Sequence, residues 1–299
     1  MDLRRLLGRL FRFIRRDRSF IPLTFSLGDR RPFGPRAPEE NLDGERLTGE
    51  IEADLAHLRA IFVAPTNVDL VVREFTLTGG KRAFLAYLDG MVDRITINYS
   101  ILQPLMLFAR EEGNGDKKAA DVKEVVERFL PGHQLKKVGT FGEASQAIVA
   151  GNTVVFVDGD RTAVVVETKG WEHRTIGLPQ TEQVVRGPQE GFVETLRANT
   201  AAIRRILRSP SLVTEIFTVG ARSRTDVAVM YLYDVANKKL VAEVKRRVRF
   251  IGEKIDFLGD SGMLEQLIED HPHAILPQVI ATERPDRCAA FLSEGHVVI

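Results

Sequence analysis

The most distinctive chemistry-bearing stretch of the sequence is residues 186–192, Arg-Gly-Pro-Gln-Glu-Gly-Phe. Its two glycines permit backbone angles that other residues avoid, and the ring of Pro188 fixes its own φ angle. Glu190 and Glu194 stand near the predicted start of a helix, where the helix dipole favours negative charge. Because arginines recur along that helix, two interpretations stay open: a charged functional surface, or a solvated helix with intrahelical pairs such as Glu194 with Arg197.

Three other stretches contain residue types that can bind phosphate, bind metal or act as nucleophiles. Gly79-Gly80-Lys81 lacks the Ser or Thr and the helix that a phosphate loop requires, and it stands between two predicted strands. Two imidazoles flank the proline of Asp270-His271-Pro272-His273, which favours a surface turn over a shared metal ion. Cys288 is expected to pack on the apolar face of a helix. No motif indicates an enzyme, a cofactor or a metal site.

Composition restricts the class of protein further. The chain has 299 residues, of which 44% are hydrophobic and 28% charged, with a net charge of +1 and one cysteine. These values are typical of a globular protein with two ordinary domains; they exclude an internal disulfide and give no sign of nucleic-acid binding. No apolar run approaches the roughly 18 to 20 residues that span a bilayer, and no secretory signal is recognised. We therefore expect a soluble, non-secreted chain.

Predicted elements on both sides must position the stretch 186–192. Before it, apolar periodicity predicts helices at 48–62, 91–109, 122–130 and 141–149 and strands at 68–77, 83–88, 135–138, 153–157 and 162–167. After it, the same reasoning predicts helices at 191–207, 237–250, 263–268 and 287–293 and extended segments at 212–219, 226–233, 275–280 and 297–299. Thr48 is expected to cap the first helix, and Pro104 to end or kink the second.

The alternation of strands and helices predicts an α/β fold made of two mixed α/β subdomains. The subdomains are placed at 48–176 and 191–299, and residues 177–190, which contain two glycines and two prolines, are predicted to be the hinge between them. Helix 191–207 is expected to bury an apolar face and to expose its arginines. That face is predicted to consist of Phe192, Leu196, Ile203 and Ile206.

Residues 1–47 are predicted to be a basic amphipathic N-terminal helix followed by a linker. Apolar residues recur at helical spacing over residues 2–18, and arginines fill most of the other positions. Such a segment either lies on an anionic membrane surface or an acidic partner, or is a solvated tail. Glycines and prolines among charged residues over 26–49 predict the linker.

Residues 178–210 resemble the signature of the GerA family of spore germination A subunits. The family pattern, Thr-Glu-x-Val-Val-Arg-Gly-Pro, Glu-Gly-Phe, Leu-Arg-x-Asn-Thr and Ile-Arg-Arg, is repeated here in order. Leu178 and Gln189 stand where the family usually has Glu and Arg. Other segments that resemble family motifs are 158–159, 168–172, Tyr231, Asn237, 244–247, 267–270, Pro272, 277–278 and 282–286. The resemblance runs from about residue 48 to the end and leaves residues 1–47 unmatched.

The resemblance implies a two-lobed domain on the cytoplasmic, spore-core side of a nutrient germinant receptor in the spore inner membrane. Family members continue into membrane-spanning helices, and the apolar end of this chain at 296–299 favours such a continuation here. They assemble with a transporter-like B subunit and a lipoprotein C subunit. A related protein of the SpoVAF type shares the signature, so the sequence leaves open which of the two this chain is.

Two functions follow from the resemblance as expectations. The domain senses or transmits the signal of a nutrient, such as an amino acid or a sugar, that triggers germination and ion release. Alternatively, it is a scaffold on which A subunits form a homo-oligomer, without a ligand of its own. Candidate interface or ligand-coupling residues are Arg186, Gly187, Pro188, Glu190, Gly191, Phe192, Glu194, Arg197, Asn199, Thr200, Arg204 and Arg205.

Overall fold

The computed structural model describes residues 42, 44–77, 80–107, 135–170, 179, 182, 187–272 and 278–299. The predicted helices at 2–18 and 122–130, Arg186 and most of the predicted hinge lie outside these residues. The described residues form a mixed α/β structure with two antiparallel sheets, which confirms the predicted fold class. We call the described residues up to 170 the first unit and those from 187 onwards the second unit.

The first unit is built on an antiparallel sheet of five strands in the order β1-β2-β4-β5-β3. The strands are β1 (Leu70–Thr76), β2 (Arg82–Leu88), β3 (Leu135–Val138), β4 (Thr153–Val157) and β5 (Ala163–Val166). Four of the predicted strands form two hairpins, because β1 pairs with β2 and β4 pairs with β5. The second hairpin turns at Gly159, whose positive φ of 82° is unfavourable for residues with a side chain.

Helices cover both faces of this sheet. Helices α1 (Ile51–Ile61) and α4 (Phe141–Val149) share a core with alternate strand residues such as Phe84 and Phe156, whose rings stack 4.5 Å apart. The other face, with Leu85 and Val155, packs against a helical stretch at residues 94–107. Successive strand residues point to opposite faces of a sheet, so these apolar strands supply both cores.

One local detail differs from the prediction. The N-cap of α1 is Glu50 rather than Thr48. Thr48 instead donates its hydroxyl to Asp54 Oδ1 at 2.7 Å, and the same carboxylate accepts from the backbone N–H groups of Thr48 and Gly49. The Asp54 carboxylate thereby fixes the turn before the helix, although it comes four residues after the cap.

The helical stretch at residues 94–107 continues past Pro104 instead of ending there. It consists of α2 (Arg94–Thr96), a π-helical segment (Ile97–Leu102) and α3 (Gln103–Leu107). Proline has no N–H to donate, and its ring clashes with the carbonyl four residues earlier in an ideal helix. The wider π turn directly before Pro104 relieves that clash, which explains why the helix is widened and not broken.

In the second unit, the two extended segments predicted at 212–219 and 226–233 form a hairpin of β6 (Leu212–Val219) and β7 (Thr225–Leu232). The backbone of Val298 pairs with Met230 beside β7, as expected for a strand that starts near the end of the chain. Its helices are α5 (Leu196–Ile206), α6 (Lys238–Lys254), α7 (Ser261–Ile268) and α8 (Pro285–Ser293). A core of α6, α7 and hairpin residues includes Val213, Val248 and Leu267.

Helix α5 lies between the two units. It begins at Leu196, five residues later than predicted, because residues 187–195 are not helical. Its Ala201 belongs to the core of the first unit, while its Ile203 packs with Leu212, Met230 and Cys288 of the second. The prediction for its buried face was wrong at Ile206, which is 45% exposed, and the buried face includes Arg204 instead.

Candidate functional site

Arg204, a residue of the predicted site, is almost completely buried, with 2% of its surface exposed. Its Nε donates to Asp69 Oδ2 at 2.7 Å. Its Nη2 is within hydrogen-bonding distance of Asn67 Oδ1 at 3.0 Å, of the Leu212 carbonyl at 2.9 Å and of the Thr214 hydroxyl at 3.2 Å. The guanidinium from α5 therefore joins the first unit to the edge of β6 in the second.

Arg197, two turns earlier on α5, binds the other oxygen of the same carboxylate. Its Nη1 donates to Asp69 Oδ1 at 2.6 Å, and its Nε lies 3.7 Å from Asp89 Oδ2. Arg94, at the start of α2, donates to the other oxygen of Asp89. Both aspartates are almost completely buried, so three guanidinium groups neutralise two carboxylates that water hardly reaches.

The loop between α1 and β1 completes this contact. The Val68 backbone N–H donates to the Thr214 carbonyl at 3.0 Å, and the Asn67 amide donates to the Leu212 carbonyl at 3.3 Å. The Thr214 N–H in turn donates to Asn67 Oδ1 at 3.3 Å. We call Asn67, Asp69, Arg197, Arg204 and Thr214 the inter-unit joint.

The energetics of the joint follow from its burial. Desolvation of a charged pair offsets most of its Coulomb attraction, so a buried ion pair gives little net stability compared with apolar packing. Removing one partner, however, leaves a buried charge uncompensated, at a cost of about 3–5 kcal/mol. Any arrangement of the two units that separates Asp69 from Arg204 is therefore higher in free energy than the one observed.

The other residues of the signature fix the segment that leads into α5. The Asn199 side chain forms two hydrogen bonds with the Val193 backbone, at 2.8 Å and 2.6 Å. The Phe192 N–H donates to the Glu283 carbonyl at 2.8 Å, which ties the segment to the residues before α8. The Thr200 hydroxyl donates to the Arg197 carbonyl at 3.1 Å, within the helix.

Of the two interpretations left open for this stretch, the structure contradicts the solvated helix with intrahelical pairs. Arg197 pairs with the first-unit residue Asp69 and not with Glu194, which is exposed just before the N-cap Thr195. Arg204 is buried instead of lying on a solvated face. Glu190 pairs with Arg205 at 2.8 Å, on the more exposed side of α5.

The glycines of the signature differ in their surroundings. Gly187 is exposed and has a φ of 129°, which a side chain would strain, and Pro188 beside it is exposed as well. Gly191 is buried. The structure thus brings Arg197, Thr200 and Arg204 to the joint or beside it and leaves residues 187–190 at the surface.

The two first-unit residues of the joint, Asn67 and Asp69, and the neighbouring Asp89 were absent from the predicted site. Asn67, Asp69 and Asp89 are 1%, 0% and 8% exposed. A signal was present in the sequence, because Asp69 interrupts the apolar residues of a predicted strand, where a buried carboxylate requires a partner. The identity of that partner, more than a hundred residues away, depends on tertiary contacts.

A second buried cluster lies within the second unit. Arg247 of α6 donates to Glu243 Oε1 at 2.8 Å, to the Ile268 carbonyl at 2.6 Å and to Asp270 Oδ1 at 2.6 Å. Burial alone would raise the pKa of Glu243, but hydrogen bonds from Arg246 and Arg247 outweigh it and hold that pKa below its usual value. Asp270, a residue of the Asp-His-Pro-His stretch, thus accepts a hydrogen bond from α6 just after the end of α7.

Two further buried groups, the Glu215 carboxylate with its two donors and the Cys288 thiol, have structural roles. Tyr231 and Lys245 both donate to Glu215 Oε1, at 2.7 Å and 2.6 Å; burial, with the Glu215 hydrogen bond, raises the pKa of Tyr231. Cys288 is buried as predicted, and burial raises the pKa of its thiol to about 11. Within the part of the chain that the structure describes, no cluster of His, Cys, Asp and Glu could hold a metal ion.

A solved structure shares this architecture. The crystal structure of the N-terminal domain of the A subunit of the Bacillus megaterium spore germinant receptor GerK3 matches with a TM-score of 0.63 and 25% identity, over 85% of this chain and 91% of that chain. The fold is thus that of a germinant receptor N-terminal domain.

Sequence comparisons agree with that class. The family model described as Bacillus/Clostridium GerA spore germination protein matches residues 56–299, so the chain belongs to the GerA family. Spore germination protein KA of Bacillus subtilis is 34% identical over 78% of this chain and 42% of its own length. Stage V sporulation protein AF of the same species is 32% identical over 78% of this chain and 46% of its own length.

The chain covers only part of these two relatives. It spans less than half the length of either Bacillus subtilis protein.

Among the described helices, none is both long enough and apolar enough to cross a bilayer. The identities of 34% and 32% are too similar to separate a germination protein of the KA type from a stage V AF type.

Proposed function

We propose that this chain is the signal-transmitting N-terminal domain of a germinant receptor A subunit, with the inter-unit joint as its coupling element. The observation that supports this role most strongly is the buried pair of Arg204 with Asp69. The signature helix α5 contributes Arg197 and Arg204 to one partner carboxylate in the other unit. A displacement of either unit must therefore move the other or break a buried ion pair.

The proposed setting is a receptor complex in the spore inner membrane, with this domain on its cytoplasmic, core side. The proposed partners are a transporter-like B subunit, a lipoprotein C subunit and further A subunits. In this scheme, binding of a nutrient such as an amino acid or a sugar shifts the arrangement of the complex, and the joint carries that shift through the domain. The domain boundaries at residues 176 and 191 and the hinge at 177–190 are part of the same proposal.

The contacts favour transmission over a scaffold role for the signature itself. A scaffold whose signature binds another subunit requires the charges of Glu190 and Arg197 to be available to that subunit. Both side chains are partly exposed, but each already has a partner within the chain, because Arg197 pairs with Asp69 and Glu190 pairs with Arg205. The alternative scaffold function is accordingly assigned to other surfaces of the domain.

The test is germination of spores that carry the full-length receptor with Arg204→Met. We expect germination in a rich nutrient mixture, followed as loss of optical density, to slow markedly while the receptor still reaches the membrane. Arg205→Met is the matched control, because its neighbouring guanidinium pairs with the half-exposed Glu190 on the same helix. Normal germination by Arg204→Met spores with normal receptor levels would contradict the proposal.

A further inference from the structure

The outward side of α6 is strongly basic. The helix contains seven Lys and Arg residues and two Glu residues over 17 positions. Its inward residues, such as Val244, Val248 and Ile251, are buried against the β6–β7 hairpin. The outward residues recur at helical spacing around the exposed Ala242. We call four of these outward residues the basic face: Lys238, Lys239, Arg246 and Arg249.

The carboxylates around α6 do not neutralise the basic face. Glu243 accepts from both Arg246 and Arg247, so one anion serves two guanidinium groups. Asp234 stands before the helix and Glu253 near its end, and both are exposed. The face therefore keeps a net positive charge. Within the part of the chain that the structure describes, no ion pair is formed by three members of the basic face: Lys238, Lys239 and Arg249.

Aromatic rings support two of these cations. Lys238 Nζ lies 5.4 Å from the centroid of the Tyr233 ring, and the guanidinium carbon of Arg249 lies 5.3 Å from that of the Phe217 ring. Contacts of this kind hold a cation in place without neutralising its charge. Tyr233 is also half-exposed, and amphipathic Tyr rings are enriched where a membrane meets water.

We propose that the basic face binds the anionic headgroup surface of a phospholipid bilayer. Its cations are spread over about 16 Å of one helix side, which suits an extended charged surface. The centre of a protein interface is typically aromatic and poor in Lys, whereas the centre of this face is Ala242 with lysines beside it. The net charge of +1 for the whole chain does not favour nucleic acid.

The expected contact orients the domain and does not anchor it. Each cation near an anionic lipid surface raises the affinity about fivefold, so four cations give a weak contact. The apolar side of α6 is buried against the hairpin, so the helix lies on the headgroups without inserting. The inference rests on the proposed receptor setting, which places a membrane beside this domain, and it names the face that is turned towards that membrane.

The first measurement locates the face that contacts lipid. Ala242→Cys in the 299-residue chain is labelled with an environment-sensitive fluorophore, and the natural Cys288 is buried. The vesicles contain phosphatidylglycerol and phosphatidylcholine in equal amounts, with a quencher on the headgroups. A local readout is needed because the arginines of residues 2–18 can also bind anionic vesicles.

The matched control is Ala290→Cys with the same label. Ala290 is an exposed alanine of α8, which packs on the side of the β6–β7 hairpin opposite to α6. We expect the vesicles to quench the Ala242→Cys label and to leave the Ala290→Cys label nearly unchanged. Equal quenching at the two positions would overturn the proposal.

The second measurement tests the charge of the face by vesicle co-sedimentation. Lys238→Gln combined with Lys239→Gln should weaken vesicle binding about thirtyfold. The matched control combines Lys136→Gln with Lys137→Gln, an exposed lysine pair on β3 of the first unit, and should bind like the unchanged chain. Equal affinities of the two double variants would overturn the proposal.

The same labelled chain separates lipid from an acidic protein partner. An emission change of the Ala242→Cys label with polyglutamate, and none with the vesicles, would assign the basic face to an acidic protein and would overturn the proposal. None of these measurements uses germination or the inter-unit joint. A failure here is therefore distinguishable from a failure of the proposed signal-transmitting role.

Discussion

Arg204 and Arg247 are both almost completely buried arginines, yet their partners lie in different parts of the molecule. Arg204 binds Asn67 and Asp69 of the first unit as well as β6 of the second. Arg247 binds Glu243, the Ile268 carbonyl and Asp270, all within the second unit. A buried arginine bound to carboxylates and carbonyls thus joins the two units at Arg204, whereas at Arg247 it holds two helices of one unit together.

Burial alone does not indicate what either arginine holds together. Each arginine pairs with a buried carboxylate and donates to a buried backbone carbonyl, so each should be costly to remove. The consequences should differ in location, because only the Arg204 contacts cross between the units. Variants at the two positions therefore separate coupling between units from stability within one unit.

The largest effect is expected from Arg204→Met. The substitution leaves Asp69 with Arg197 as its remaining partner and removes the bonds to Asn67, Leu212 and Thr214. We expect the free energy of unfolding to fall by about 3–5 kcal/mol, measured by urea denaturation. The unfolding transition should also split in two, with the amides of Val68 and Thr214 losing protection from hydrogen exchange before the sheet of the first unit does.

A smaller and more local effect is expected from Arg247→Met. Glu243 keeps its bonds to Arg246, although Asp270 loses its bond to Arg247. We expect a loss of about 3 kcal/mol, at the low end for a broken buried pair, with faster hydrogen exchange confined to α6 and α7. Faster exchange of the Val68 amide in this variant would show that the two clusters are not separate.

The rate at which the Cys288 thiol reacts shows which of the two arginine clusters holds α5 in place. The thiol packs with Ile203 and Leu212, next to the joint. Burial raises its pKa from the ordinary value of 9.0 to about 11, so the folded protein should react slowly with thiol reagents at about pH 8. Arg204→Met should accelerate labelling by more than about tenfold, while Arg247→Met should leave the rate close to that of the unchanged chain.

The raised pKa of the Cys288 thiol makes the free energy of unfolding depend on pH. Because the folded-state pKa is raised, the stability that the neutral thiol contributes is present below pH 9 and is lost as the pH rises towards 11. The loss should reach about 2–3 kcal/mol. The difference in unfolding free energy between the unchanged chain and Cys288→Ala, measured across this range, isolates it; a difference that does not change with pH would contradict the raised pKa.

The smallest effect is expected from Arg205→Met. Arg205 is the neighbour of Arg204, but its partner Glu190 has 41% of its side chain exposed. Ion pairs of this kind contribute about 0–1 kcal/mol because water and salt screen them. A loss comparable to that of Arg204→Met would show that the whole of α5, and not the joint, is the sensitive element.

Most of the architecture could be predicted from the sequence. Apolar residues over 212–219 and 226–233 predicted both strands of the β6–β7 hairpin, and Asp158-Gly159-Asp160 is a turn signal between β4 and β5; such signals are local and can be read from short stretches of the chain. The start of α5 was placed five residues too early, since Asn199 bonds to Val193 and holds the preceding segment in a non-helical conformation.

Only the part of the site that lies on α5 was predicted from the sequence. The signature residues of α5 were identified through their resemblance to the GerA family, but their partners Asn67, Asp69 and Asp89 were not. Helical periodicity alone assigns an arginine to solvent, and nothing local distinguishes Arg204 from Arg205. The distinction arises from the loop before β1, which brings Asp69 to one of the two arginines.

The most direct test of the joint is a double-mutant cycle with Asp69→Asn, Arg204→Met and the combined variant. If the two side chains act as one buried pair across the units, their losses in unfolding free energy should overlap by at least about 2 kcal/mol. Losses that add to within about 0.5 kcal/mol would mean that Asp69 and Arg204 act independently, and would contradict the role of the joint as a coupling element.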